Sequence, residues 1–381
     1  MSDYQPSNEI LARYAEVLVN CGLGHGFGIK PEETVVINYN DYDPRFTAAL
    51  QAAMVNAGGY FALENGMKYP ADGATIEYMW SRAQHRITIK CVQTAAKKKA
   101  GESADPKLYR GLTKTELMRQ FRDNLLPNGA KGWNSYTMAY YPTPYMAAEA
   151  GVTLEEFWQV IIDACYLEDE DPVGAVRNGM KRSRDVAEQL NKLDIASVHV
   201  TGEHADLTVT FVPESKFVAS SGGNVPSYEV FRTPAASLTK GWIKLDLPTL
   251  YQSERIAGVV AWFEDGIATC TAEQGNEALQ RLLKRKNASR LGEFALTDKR
   301  LSGIRCALPG STMFMENIGG TGHIAFGNGY PKCFYDTTNT PDRNESAPHH
   351  DFVFSHDFIV TATLRDGSQE VIWRDGQFTF F

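Results

Sequence analysis

The spacing of apolar residues in this chain changes character near residue 190. That change excludes any architecture built on one repeated unit. Before it, helix-like and strand-like segments alternate. Residues 8–21 place Ile10, Leu11, Tyr14, Val17 and Leu18 at helical spacing, and residues 34–39 read as a short buried strand. Asp43-Pro44 opens a second helix, with the proline at its first position, and Gly58-Gly59 closes it. Residues 60–63, 87–92 and 136–141 are further strands. Thr153-x-x-Glu156 is a capping box, and Asp171-Pro172 starts a long amphipathic helix to about Leu193. Such alternation predicts an open α/β sheet, parallel in large part. From Ile195 onward β-branched runs follow one another between glycine turns, at 198–201, 207–211, 259–263, 358–363 and 378–381. One helix interrupts them at 276–286. The expected fold class is therefore α/β: an N-terminal open α/β sheet domain, residues 1–190, followed by a β-rich α+β C-terminal domain, residues 191–381. A length of 381 residues, more than one hydrophobic core serves, agrees with two domains.

Composition narrows the classes of partner. The formal charge is -8, which argues against nucleic acid, because phosphate binding needs a basic face. No apolar stretch is long enough to cross a bilayer, and the polar start lacks the layout of a secretory signal. The expectation is a cytoplasmic protein with neither a nucleic-acid nor a membrane partner. Cys21, Cys91, Cys165, Cys270, Cys306 and Cys333 are widely spaced, with no C-x-x-C pair. They read as free thiols, and they argue against a zinc finger or an iron–sulfur cluster. Two charge runs, Lys97-Lys98-Lys99 and Glu168-Asp169-Glu170-Asp171, read as solvated loops.

Familiar catalytic signatures are missing. The glycine-rich run 22–28 follows a helix and leads to a strand, the reverse of a dinucleotide loop. Neither G-x-S-x-G nor H-E-x-x-H occurs. What remains is an inventory of metal-binding side chains in the second half. Glu229 stands in N-V-P-S-Y-E-V-F, Glu293 in L-G-E-F-A-L, and His323 and Tyr330 in G-H-I-A-F-G-N-G-Y. His349 and Asp351 stand in P-H-H-D-F; on a strand they share one face, and His350 points away. Each has a plainer reading: a His–Asp pair holding a loop, a structural histidine among glycines, an exposed strand glutamate, a helix-cap acid. Together they form a donor set for one or two divalent cations.

In order and spacing these patches resemble the M29 metallo-aminopeptidases, the aminopeptidase T and aminopeptidase S group. The family's N-x-P-x-x-E-V-F-x-x-P setting is matched by residues 224–234, and its L-G-E-x-A-L by residues 291–296. Its H-I-A-x-G-x-x-Y run is matched by residues 323–330, and its S-x-x-H-x-D run by residues 346–351. The resemblance implies that Glu229, Glu293, His323, Tyr330, His349 and Asp351 bind two divalent metal ions, zinc, cobalt, manganese or magnesium. It implies a homodimer that removes N-terminal residues from a peptide or related small amide substrate. Glu293 is then the candidate proton-transfer residue, and Tyr330 a second catalytic candidate, as metal-bound phenolate or as donor to the developing oxyanion. A related branch resembling 2,5-dihydroxypyridine dioxygenase offers an alternative: one Fe(II) held by His323, His349 and Asp351. The chain departs from the M29 pattern at Tyr228, where the family commonly has glycine, and a bulky ring there is expected to reshape the pocket.

Overall fold

The computed structural model describes residues 4–39, 43–65, 78, 80–92, 107–109, 112–113, 117–118, 120–121 and 132–381. The first three residues and the lysine run 97–99 lie outside these. The chain divides into two compact units: residues 1–178 with 221–227, and residues 179–220 with 228–381.

In the first unit the sheet is parallel throughout, with spatial order Tyr60–Asn65, Thr34–Tyr39, His85–Lys90, Ser135–Tyr140. Val35, Val36, Ile37, Ile87 and Ile89 are all fully buried, the continuous apolar run expected of a parallel strand covered on both faces. Helix Asn8–Val17 is capped by Ser7 and helix Pro44–Asn56 by Asp43. Tyr14 of the first stacks on Phe46 of the second, ring centroids 5.4 Å apart. Helix Leu154–Ala164 starts with the full Thr153/Glu156 capping box. Helix Pro172–Lys192 starts in this unit, after an exposed acidic turn at 168–171, and its residues from Gly179 on belong to the second.

The second unit holds two antiparallel sheets. The five-stranded one has the order His349–Phe354, Thr321–Gly327, Leu291–Thr297, Val230–Arg232, Val218–Ala219. Strand alternation sorts its residues cleanly. Phe294, Ile324, Phe326 and Phe352 lie on one face and are fully buried. The nine-stranded sheet packs against that face, where Phe326 stacks on Phe263 with centroids 5.9 Å apart. The other face carries the polar residues considered next. At the C-terminus the expected strand 378–381 is shorter: Gln377–Phe378 pairs with Trp373 and Arg374, and the chain then turns. The Phe381 ring is taken instead by the guanidinium groups of Arg182 and Arg300, 4.9 and 5.2 Å from its centroid.

Candidate metal centre

Register alone assembles the site. Glu293 lies opposite Ala325, and Ala325 opposite Asp351; Ala295 lies opposite His323, and Phe231 opposite Ala295. Residues paired across antiparallel strands share a face, as do residues two apart on one strand. Glu293, His323, His349 and Asp351 therefore project from the same side. Glu229 immediately precedes strand Val230–Arg232 and joins them there. Between the acids and imidazoles the checkerboard positions are Ala295 and Ala325, whose single methyl groups leave the space above them clear. A bulge at Gly292, between Leu291 and Glu293, ends the regular pairing beside Glu293, a device that re-aims a side chain. Only glycine fits there: a Cβ on Gly292 would stand 2.3 Å from the Asn328 carbonyl oxygen.

Two buried groups result. Glu229, Glu293 and His323 form one; Glu293, His349 and Asp351 form the other, and within each the ligand atoms lie within 4.8 Å of one another. Glu293 belongs to both. Its Oε1 lies 3.9 Å from His323 Nε2 and its Oε2 3.1 Å from His349 Nε2. Glu229 Oε2 is 3.8 Å from His323 Nε2, and Asp351 Oδ1 is 3.3 Å from His349 Nε2. The Tyr330 hydroxyl lies 3.2 Å from His349 Nε2. The Nδ1–H of His349 donates to the Asn328 carbonyl at 2.6 Å, which turns Nε2 inward. A backbone carbonyl behind an imidazole is the usual second support of a metal-binding histidine.

These residues suit a cation. His323 is fully buried, yet neither of its ring nitrogens has a hydrogen-bond partner, and Asp351 Oδ1 has none either. Buried polar atoms are rarely left so. Contacts of 3.8–3.9 Å are too long for hydrogen bonds but suit two ligands on one ion, at roughly 2.0–2.2 Å each. Three carboxylates facing one another out of water repel unless positive charge offsets them.

The protonation pattern agrees. Burial favours neutral His349, but the carboxylates of Asp351 and Glu293 outweigh it and raise its pKa well above the ordinary histidine range. Burial would likewise raise Asp351, but His349 beside it holds the carboxyl below its usual range. A further acid joins the site, one that no motif had indicated. Glu316 ends the short helix Thr312–Glu316, is buried, and feels the charge of Asp351. Burial first, then the charges of Asp351 and Glu229, raise its pKa well above the carboxylate range. One sequence signal exists for it: an acid directly after the apolar run Met313-Phe314-Met315 is misplaced unless it has a task.

His350 turns to the opposite face, where it meets Thr249 Oγ1 at 3.2 Å. Tyr228, at the departure from the M29 pattern, is turned inward. It is fully buried, its Cε1 2.7 Å from where a Cβ on Gly179 would stand. Its N–H donates to Asn317 Oδ1 at 2.6 Å and its carbonyl accepts from Ser183 Oγ at 3.2 Å. Both sides of the residue preceding Glu229 are thereby fixed.

Comparison with known proteins agrees with this chemistry. Residues 7–378 match the family model described as thermophilic metalloprotease (M29). Aminopeptidase 2 of Geobacillus stearothermophilus is 26% identical over 307 residues, 73% of each protein. Aminopeptidase T of Thermus aquaticus is 28% identical over 242 residues, 59% of each. The fold matches that of wild-type AmpT from Thermus thermophilus with a TM-score of 0.75, at 23% identity over 97% of this chain and 99% of that one. The dioxygenase alternative gains no support from these relatives. Among the described residues no helix is long and apolar enough to cross a membrane. With a match that runs almost from end to end and a buried donor set of this kind, the chain belongs to the M29 metalloprotease family and is a metallohydrolase.

Proposed function

We propose that this protein is an aminopeptidase that removes N-terminal residues from peptides, working with two divalent cations. One cation would be held by Glu229, Glu293 and His323, the other by Glu293, His349 and Asp351, with Tyr330 at the edge of the second group. The observation that carries this reading is the sharing of Glu293, whose two oxygens face different imidazoles. A single mononuclear triad has no use for that arrangement. The cations would polarise the scissile carbonyl and acidify a water. Glu293, in reach of both groups, takes up the water's proton and passes it to the departing amine. The Tyr330 hydroxyl donates toward the negative oxygen that develops on the attacked carbonyl. Glu229 and Asp351 balance charge, and Asn328 keeps the His349 ring from turning. The similarity to named aminopeptidases supports the substrate class. On the same footing the site belongs to a C-terminal catalytic domain, and the protein acts in the cytoplasm as a homodimer, as family resemblance implies.

Metal content and turnover test this together. Purified protein should carry close to two zinc, cobalt, manganese or magnesium ions per chain and release free N-terminal residues from short peptides. One iron per chain, with oxygen uptake on an aromatic substrate and no peptide cleavage, would overturn it.

A further inference from the structure

Beside the acidic cluster stands a lysine with no acid of its own among the described residues. Lys332 occupies the centre of a tight 3-10 turn, Pro331–Cys333, that follows Tyr330 directly. Its side chain is exposed at the surface. Its ammonium lies 4.7 Å from the centroid of the Phe231 ring and 4.9 Å from that of Tyr330. Among the described residues no carboxylate lies within 4 Å of it.

The turn is rigidly held. The Cys333 N–H donates to the Tyr330 carbonyl at 3.1 Å, and the Cys333 carbonyl accepts from the Lys216 N–H at 2.7 Å. The Tyr330 N–H donates to Thr233 Oγ1 at 2.9 Å. Two aromatic faces then fix the ammonium by cation–π attraction. Tyr330 is the bridge to the site: its ring carries Lys332 on one side, and its hydroxyl reaches His349. A lysine so placed is preorganised, and among the described residues its charge is spent on no protein anion. An anionic group that enters beside Tyr330 comes within reach of that ammonium.

The geometry points to Lys332 as a specificity residue that recognises a carboxylate on the substrate, beyond the amine and the bond being cut. This rests on the aminopeptidase reading above. Two kinds of peptide supply such a group: the free C-terminus of a dipeptide, or an acidic side chain. The reach of one lysine from Tyr330 requires the anion to lie within about a residue of the scissile bond, which for a free C-terminus means a dipeptide.

Four peptides separate the sources: Ala-Ala, Ala-Ala-amide, Ala-Asp-amide and Asp-Ala-amide. For the unsubstituted protein, kcat/KM should favour Ala-Ala over Ala-Ala-amide. Lys332→Gln should lower that ratio about 2- to 5-fold, the scale of one partly exposed ion pair, and act mainly through KM. Lys332→Arg should restore it, and added salt should weaken it in the unsubstituted protein. Loss of preference for Ala-Asp-amide or Asp-Ala-amide in the same variant would show which side chain also reaches the lysine. Lys216→Gln, whose ammonium lies over Tyr335, serves as the control for general loss of positive charge and should leave the ratio where it was. Equal effects of Lys332→Gln on charged and neutral peptides, or no effect on either, would overturn the assignment. An unsubstituted protein that cuts none of the four would overturn the aminopeptidase reading itself, and the assignment with it.

Discussion

At the scale of single residues, the buried acids of the site govern where protons are held. His349 is kept protonated by Asp351 and Glu293, and Glu316 is kept protonated by burial and by its acidic neighbours. A divalent ion replaces those protons, because imidazole binds metal only when neutral. Near pH 7 loading should therefore release at least one proton per chain. Since protonation of His349 competes with the ion, affinity should rise with pH until the raised His349 pKa is passed. Titration calorimetry in buffers of different ionisation enthalpy reads the proton count directly, and zero release would contradict the protonation pattern. Glu293 has the second residue-scale consequence. Removing it strips one oxygen from each buried group, and it also removes one of the two acids that sustain the His349 charge. Glu293→Ala should bind fewer than two ions and lose about 10³-fold in peptide turnover, with an unchanged far-UV circular dichroism spectrum. Full turnover by this variant would remove Glu293 from its role.

The strand is the next scale, and there the bulge at Gly292 ties geometry to chemistry. The added methyl of Gly292→Ala would press on the Asn328 carbonyl, 2.3 Å away. That same carbonyl accepts the His349 Nδ1–H at 2.6 Å. The backbone has to move, and the carbonyl that orients the imidazole moves with it. The substitution should cost about 1–3 kcal/mol in stability, the scale of overpacking a close contact. It should also weaken metal binding several-fold, although residue 292 contributes no side chain to the site. Urea unfolding with and without cation separates the two effects; a variant of native metal affinity would show that Asn328 does not govern His349. This element also shows where sequence reasoning reaches its limit. The motifs name Glu293, His323 and His349, because side-chain chemistry is written in the residue type. The Asn328 carbonyl is a backbone group, and its position depends on how residues 291–293 pair with 325–326, which no local pattern specifies. Glu316 escaped for a similar reason. Its helix, Thr312–Glu316, is barely more than one turn, too short for a 3.6-residue period to show.

For the whole molecule, elements with caps and strong periodicity were legible. The helical spacing from residue 8, the Asp43-Pro44 start, the Thr153 box and the apolar runs at 34–39 and 259–263 mark elements found close to their expected places. The strand expected at 378–381 failed, because the chain end gives its last aromatic ring to Arg182 and Arg300 instead of to a sheet. Sheet order was not legible, since pairing such as Leu291–Thr297 beside Thr321–Gly327 is a long-range choice among many β-branched runs. The division into two units has an energetic consequence. Every residue of both acidic groups belongs to the second unit, so binding stabilises that unit by RT ln(1 + [M]/Kd), about 2.7 kcal/mol at a hundredfold excess over Kd. The first unit closes its own core around Val36, Trp80, Phe121 and Trp133, and has no ligand in either group. Hydrogen exchange should register the difference. Cation added to chelator-treated protein should slow exchange in strands Leu291–Thr297, Thr321–Gly327 and His349–Phe354 by about 100-fold. Strands Thr34–Tyr39, His85–Lys90 and Ser135–Tyr140 should change little. Equal protection in both sets would mean that the two units unfold as one, and that the division in contacts is not a division in stability.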